Sequence, residues 1–146
     1  MSDIIFVCTG NTCRSPMAEA IAKSLKPGAV FSSMGVAAAD GFPASKNACL
    51  AMDEAGLSLE SFKSSGLDKK KLMKAKLVLT MTKGHLRQVK EMCPKSNAFT
   101  LAEYAGETKD VPDPFGGDLD EYREIAENIR TLILRCFEKM NGIKAV

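Results

Sequence analysis

Ile4-Ile5-Phe6-Val7-Cys8 is an unbroken apolar run rich in β-branched residues, the pattern of a strand buried on both faces. Ser15-Pro16 then offers a cap with proline at the first helical position, and Met17, Ile21 and Leu25 recur at helical spacing until Pro27-Gly28 breaks the pattern. A second strand is expected over Ala29 to Met34. A helix should lie between about Pro43 and Gly56, where Ala48, Met52 and Ala55 share one face and the glycine suits a C-terminal cap. Lys76 to Met81 reads as a third strand, about Lys83 to Met92 as a helix, and Ala98 to Leu101 as a short fourth strand. Pro112 and Pro114 enforce a loop. Asp118, with Glu121 three residues on, marks a helix start, and Ile125, Ile129, Leu132, Cys136 and Met140 repeat at steps of four and three. Strands alternating with helices predict an α/β fold: three αβα layers around a central, mostly parallel four-stranded sheet, with the functional site at the carboxyl ends of the strands. Cys8 occupies such an end.

Composition bounds this picture. A chain of 146 residues that is 45% hydrophobic can close one core, and no repeat or low-complexity linker divides it, so residues 1–146 are read as a single domain. Charged residues are 26% and balance to +2, which suits neither a disordered tail nor a protein that binds phosphate backbones; a nucleic-acid partner is not expected. The apolar run ending at Cys8 is far too short to span a membrane, and no basic leader precedes it. A soluble, cytoplasmic monomer is the expectation. The five cysteines, at 8, 13, 49, 93 and 136, have no paired spacing, as in a reducing compartment, and with His85 as the one histidine no metal site is expected.

The candidate chemistry lies in Cys8-Thr9-Gly10-Asn11-Thr12-Cys13-Arg14-Ser15, a turn between the first strand and its helix. Successive N–H groups of such a loop can converge on an oxyanion. The helix N-terminus adds positive potential, and Arg14 can present a bidentate fork to phosphate oxygens. The same field favours the thiolate of Cys8, so a phosphate cradle centred there also holds an activated nucleophile. A cysteine and an arginine six positions apart occur by chance in many proteins. Here the pair follows a buried strand and precedes a helix, Gly10 is available for a tight turn, and the Ser15 hydroxyl is placed to hydrogen-bond the thiolate.

These residues resemble the low-molecular-weight protein tyrosine phosphatases. The family signature, C-x5-R-S-P near the N-terminus, matches Cys8 to Pro16, and its late Asp-Pro-aromatic loop matches Asp113-Pro114-Phe115. The resemblance implies a cofactor-independent hydrolase acting on phosphorylated proteins through a phosphocysteine formed on Cys8. Arg14 and the loop Thr9 to Cys13 with Ser15 would hold the phosphoryl group. Asp113 would protonate the leaving group and then take a proton from the attacking water. Without the Cys8 motif, Asp113 would read as an ordinary turn residue. Asp118 is better used as a helix cap and Asp120 as a first-turn charge.

Thr12 and Phe115 depart from the commonest tyrosine-phosphatase pattern and resemble the protein arginine phosphatase branch. Threonine leaves room and offers a hydroxyl to a phosphoguanidinium, and Phe115 could stack on its plane. Protein-arginine phosphatase is therefore the expected activity. Tyrosine phosphatase is the first alternative; arsenate reductase and a catalytically dead phospho-binding module rank lower. Asn11 suits a positive-φ turn and its amide could tie the loop to Ser33, which matches the family's supporting serine. Cys8 and Cys13 share one loop, and the resemblance supports a reversible disulfide between them, against the plainer reading of Cys13 as a buried small side chain. His85 reads as a surface or capping residue in preference to one that supports the site through a hydrogen bond, Cys49 and Cys136 as core, and the lysines around Lys69-Lys70-Lys71 as a solvated helix face.

Overall fold

The computed structural model describes residues 2–141. Strand β1 is Ile4–Cys8, followed by helix α1 (Arg14–Leu25), strand β2 (Phe31–Gly35) and helix α2 (Lys46–Glu54). Then come α3 (Lys69–Lys74), β3 (Leu77–Thr80), α4 (Lys83–Met92), β4 (Ala98–Thr100), α5 (Leu101–Tyr104) and α6 (Leu119–Asn141). The strands form one sheet in the order β2-β1-β3-β4, and every ladder is parallel. The three-layer αβα expectation thus stands.

Alternation along β1 sorts its side chains between two cores. Ile4, Phe6 and Cys8 pack with α1, α2 and α6, through Met17, Met52 and Ile133 among others. Ile5 and Val7 pack against the opposite layer, with Leu72 of α3 and Val89 of α4. A strand covered on both faces must be apolar throughout, which is why β1 shows no polar alternation. Cys136 lies in the first core and Cys93 in the second, while Cys49 is only partly buried against the first.

β1 connects to β2 on one side and lies against β3 on the other, so the carboxyl end of β1 is the point where the strand order reverses and a crevice opens. The predicted elements are present with shifted ends. The second helix begins only at Lys46, where the Ser45 side chain accepts from Ala48 N, and α5 follows β4 directly through a capping box of Thr100 and Glu103. Asp118 does cap α6, accepting from Glu121 N at 2.9 Å.

The start of α1 corrects the sequence reading. Ser15 is not the cap: the helix begins at Arg14 after Cys13, which makes no side-chain capping bond. Pro16 therefore occupies the third helical position, still within the first turn where no backbone donor is needed. The Ser15 hydroxyl turns inward instead, and one hydroxyl cannot serve both the helix end and the site.

Candidate active site

The loop from Cys8 to Ser15 is held by side chains from four directions. Cys8 Sγ lies 2.9 Å from Ser15 Oγ, and Asn11 Nδ2 donates to that same oxygen at 2.8 Å. The Ser15 hydrogen is thereby free to point at the sulfur; the Met34 carbonyl, 3.5 Å away, is the weaker alternative acceptor. Asn11 Nδ2 also donates to Ser33 Oγ at 2.9 Å, and Ser33 donates to Glu19 Oε1 at 2.7 Å. Asn11 Oδ1 accepts from Ser65 N at 2.8 Å. A chain of oriented hydrogen bonds thus runs from a carboxylate on α1 through Ser33, Asn11 and Ser15 to the thiol.

Asn11 adopts φ 55 and is the one non-glycine residue at positive φ among the described residues. Its expected turn conformation and its tie to Ser33 are both present. The expectation for Gly10 gives way: its φ is not positive, and a Cβ there would meet only Thr12 Oγ1 at an ordinary 3.6 Å. The glycine that the loop requires is Gly35, at the end of β2. A Cβ on it would lie 2.5 Å from Thr9 O and 2.8 Å from Asn11 N, so the loop can only lie this close to the strand where no side chain stands. The signal was present in Ser33-Met34-Gly35, but nothing local reveals that a distant loop passes over it.

Arg14 is buried, and its guanidinium links the loop to the segment carrying the acid. Nη1 donates to Val111 O at 2.9 Å, Nη2 donates to Thr9 Oγ1 at 3.3 Å, and Nη2 lies 3.7 Å from Asp113 Oδ2. Asp113 is half exposed, and its Oδ1 accepts from Phe115 N at 3.0 Å, which leaves Oδ2 as the oxygen turned to the cradle. Phe115 is 77% exposed, and its ring is left unburied in that turn. Arg14 and Asp113, almost a hundred positions apart in sequence, meet here.

Thr12 is half buried, and its carbonyl accepts from Ser45 N at 2.8 Å, which fastens the loop to the start of α2. Cys13 is buried. Its thiol lies 3.2 Å from Tyr122 Oη and 3.4 Å from Ser45 Oγ. Burial first, and then the Cys13 contact, push the Tyr122 phenol up to about 12, so it stays a neutral hydroxyl. Tyr122 was missed because its spacing in α6 reads as core.

His85 takes the supporting role and not the surface one: its relative exposure is 6%, and Nε2 lies 2.8 Å from Thr9 Oγ1. The ring reaches the loop because α4 starts beside it, capped by Thr82 Oγ1 accepting from His85 N. A thiol with a hydroxyl at hydrogen-bond distance and a buried arginine, all on one βα turn, with a carboxylate brought to its rim from the segment before α6, can bind an oxyanion and attack its central atom.

Comparison with known proteins agrees with this geometry. The family model for low molecular weight phosphotyrosine protein phosphatase matches residues 3–144. A protein-arginine-phosphatase of Geobacillus stearothermophilus is 43% identical over 94% of this chain and 95% of its own. The low molecular weight protein-tyrosine-phosphatase PtpB of Staphylococcus epidermidis is 41% identical over 89% and 93%. Among solved structures, the YwlE arginine phosphatase, as a cysteine-to-serine mutant with phosphorylated active site serine, superposes with a TM-score of 0.91 at 36% identity over 97% of both chains. With a family model covering nearly every residue, and with the loop, the arginine and the acid assembled on the parallel sheet, the chain belongs to the low molecular weight phosphotyrosine protein phosphatase family.

Proposed function

We propose that this protein is a protein-arginine phosphatase, hydrolysing phosphoarginine in proteins through a phosphocysteine intermediate. The observation that carries the hydrolytic reading is the meeting of Cys8, Arg14 and Asp113 around one crevice. The Cys8 thiolate attacks phosphorus, the bond from phosphorus to the leaving nitrogen breaks, and Asp113 as carboxylic acid delivers a proton to that nitrogen. Water then attacks the phosphocysteine while the Asp113 carboxylate takes its proton, and phosphate leaves with Cys8 restored as thiolate. Arg14 and the loop from Thr9 to Cys13 with Ser15 hold the phosphoryl oxygens in both steps, with Ser15 donating to the sulfur and Ser33 supporting Asn11.

The arginine assignment is supported by Thr12 and Phe115 at the positions where that branch differs, and by the likeness to the named arginine phosphatase. Asp113 could pair with guanidinium N–H groups and Phe115 stack on their plane. The likeness to PtpB favours tyrosine as the second reading. One assay separates them: kcat/KM for a peptide carrying phosphoarginine or phosphotyrosine, without metal and with reductant, against Cys8→Ser as blank. A large preference for phosphoarginine is expected, and Thr12→Ile should reduce it. Unchanged selectivity in that variant defeats the Thr12 assignment.

The chain works as a single domain and, in this reading, as a cytoplasmic monomer; all five cysteines are free thiols, and no helix among the described residues is long and apolar enough to cross a membrane. Peroxide would convert Cys8 to a sulfenic acid, which Cys13 resolves as a disulfide with loss of water. Cys13→Ser should then recover less fully from peroxide than the wild type.

A further inference from the structure

His85 is nine-tenths buried in the first turn of α4, and it faces the cradle. Its Nε2 lies 2.8 Å from Thr9 Oγ1, while Nδ1 is buried with no hydrogen-bond partner among the described residues. Arg14 Nη2 donates to the same Thr9 oxygen at 3.3 Å. The two neutral tautomers leave different groups unmatched. With the proton on Nδ1 a buried N–H donor is orphaned, which folded proteins rarely tolerate; with the proton on Nε2 only an acceptor lone pair lacks a partner. The second tautomer is therefore the better satisfied, and in it the ring donates to Thr9. Burial and then the Arg14 charge push the imidazole down to about 4, against the opposing pull of Asp113 and Asp110, so the ring is neutral near pH 7.

Thr9 Oγ1 consequently receives two N–H donors, one from α4 and one from Arg14, and they occupy both of its lone pairs. Its own hydrogen is left to be donated. Thr9 is exposed beside Arg14 and the Asp113 rim, where an incoming phosphoryl oxygen is the available acceptor. We propose that His85 is a positioning residue: it fixes the Thr9 hydroxyl as a hydrogen-bond donor to the phosphoryl group that Arg14 holds. This rests on the phosphatase reading of the site. A donor oriented before substrate arrives requires no reorganisation as charge develops, which is the condition for it to act in the transition state.

The test is a double-mutant cycle of His85→Leu and Thr9→Val, with His85→Gln as the rescue variant, read by kcat/KM for p-nitrophenyl phosphate and by the rise in Tm that inorganic phosphate produces. Each single variant should lose roughly tenfold in kcat/KM. Each should also show a smaller Tm rise with phosphate, and the double variant should be no worse than either single. His85→Gln, whose amide N–H reaches the place of Nε2, should retain most of the activity. Losses that multiply in the double variant, or a glutamine as damaging as leucine, overturn the proposal. If the wild type turns over neither p-nitrophenyl phosphate nor a phosphoarginine peptide, the phosphatase reading fails, and the cycle is still decided by the phosphate-induced Tm rise.

Discussion

The loop that carries Cys8 and the loop that carries Asp113 serve the same reaction and are built in opposite ways. In the first, Asn11, Arg14 and Ser15 are buried polar side chains, each with partners from other elements. In the second, Phe115 is bare and Asp113 is half exposed, held by the Phe115 N–H and the distant edge of Arg14. Further back, Lys83 ties that segment down through Thr108 O and Asp110. The contrast follows from what each must do. An anion site and a thiolate gain from donors oriented in advance, whereas an acid that meets many leaving groups must let substrate in and out. Arg14 joins the two regions, because it reaches both Thr9 and Val111.

The largest effect that separates them is expected for Arg14→Lys. A point charge can replace neither the fork nor the bond to Val111, and kcat should fall about 10³-fold. Amide hydrogen exchange in residues 110–117 should quicken in the same variant; unchanged exchange would show that the rim is held without Arg14. Asp113→Asn should cost about 10²-fold in kcat with a leaving group that needs a proton, and much less with p-nitrophenyl phosphate. Equal losses with both substrates would count against its role as the acid.

Smaller effects probe the frame. Gly35→Ala forces a methyl group against the Thr9 carbonyl and the Asn11 amide, and should lower stability by about 3 kcal/mol in urea unfolding. Gly10→Ala, meeting only an ordinary contact, should change it little. The shallowest effect concerns pH. Unfolded, His85 takes up its proton near 6.5, whereas the fold pushes this down to about 4 through burial and Arg14. The unfolded chain therefore binds more protons in that interval, and stability present above pH 6.5 should be lost progressively as pH falls from about 6.5 to about 4. His85→Gln should flatten that slope; an unaltered pH profile would remove His85 as its source.

The chain order of the four strands and of α1, α2, α4 and α6, the parallel sheet and the cradle after β1 were all legible, because they depend on local signals: an apolar run, a 3.6-residue period, and a cysteine and arginine spaced across one turn; the short α3 and α5 carry too few residues to show a period. Asn11 could be read as a positive-φ residue for the same reason. Of the two uses the sequence offers the Ser15 hydroxyl, the bond to Cys8 holds and the helix cap does not, because local propensity sees the backbone donors ahead of it but not the asparagine amide that also claims its oxygen. His85 looked like a surface residue because polar residues at helix starts are solvated by default, and only the packing of α4 beside the loop buries it. Gly35 and Tyr122 could not be assigned to the site from their own segments, since their constraint comes from chain segments far away in sequence. The sequence by itself thus determined which chemistry the loop can carry. The tertiary structure decided which hydroxyl serves which partner, because a hydrogen bond between distant elements depends on how the layers pack and leaves no periodic trace along the chain.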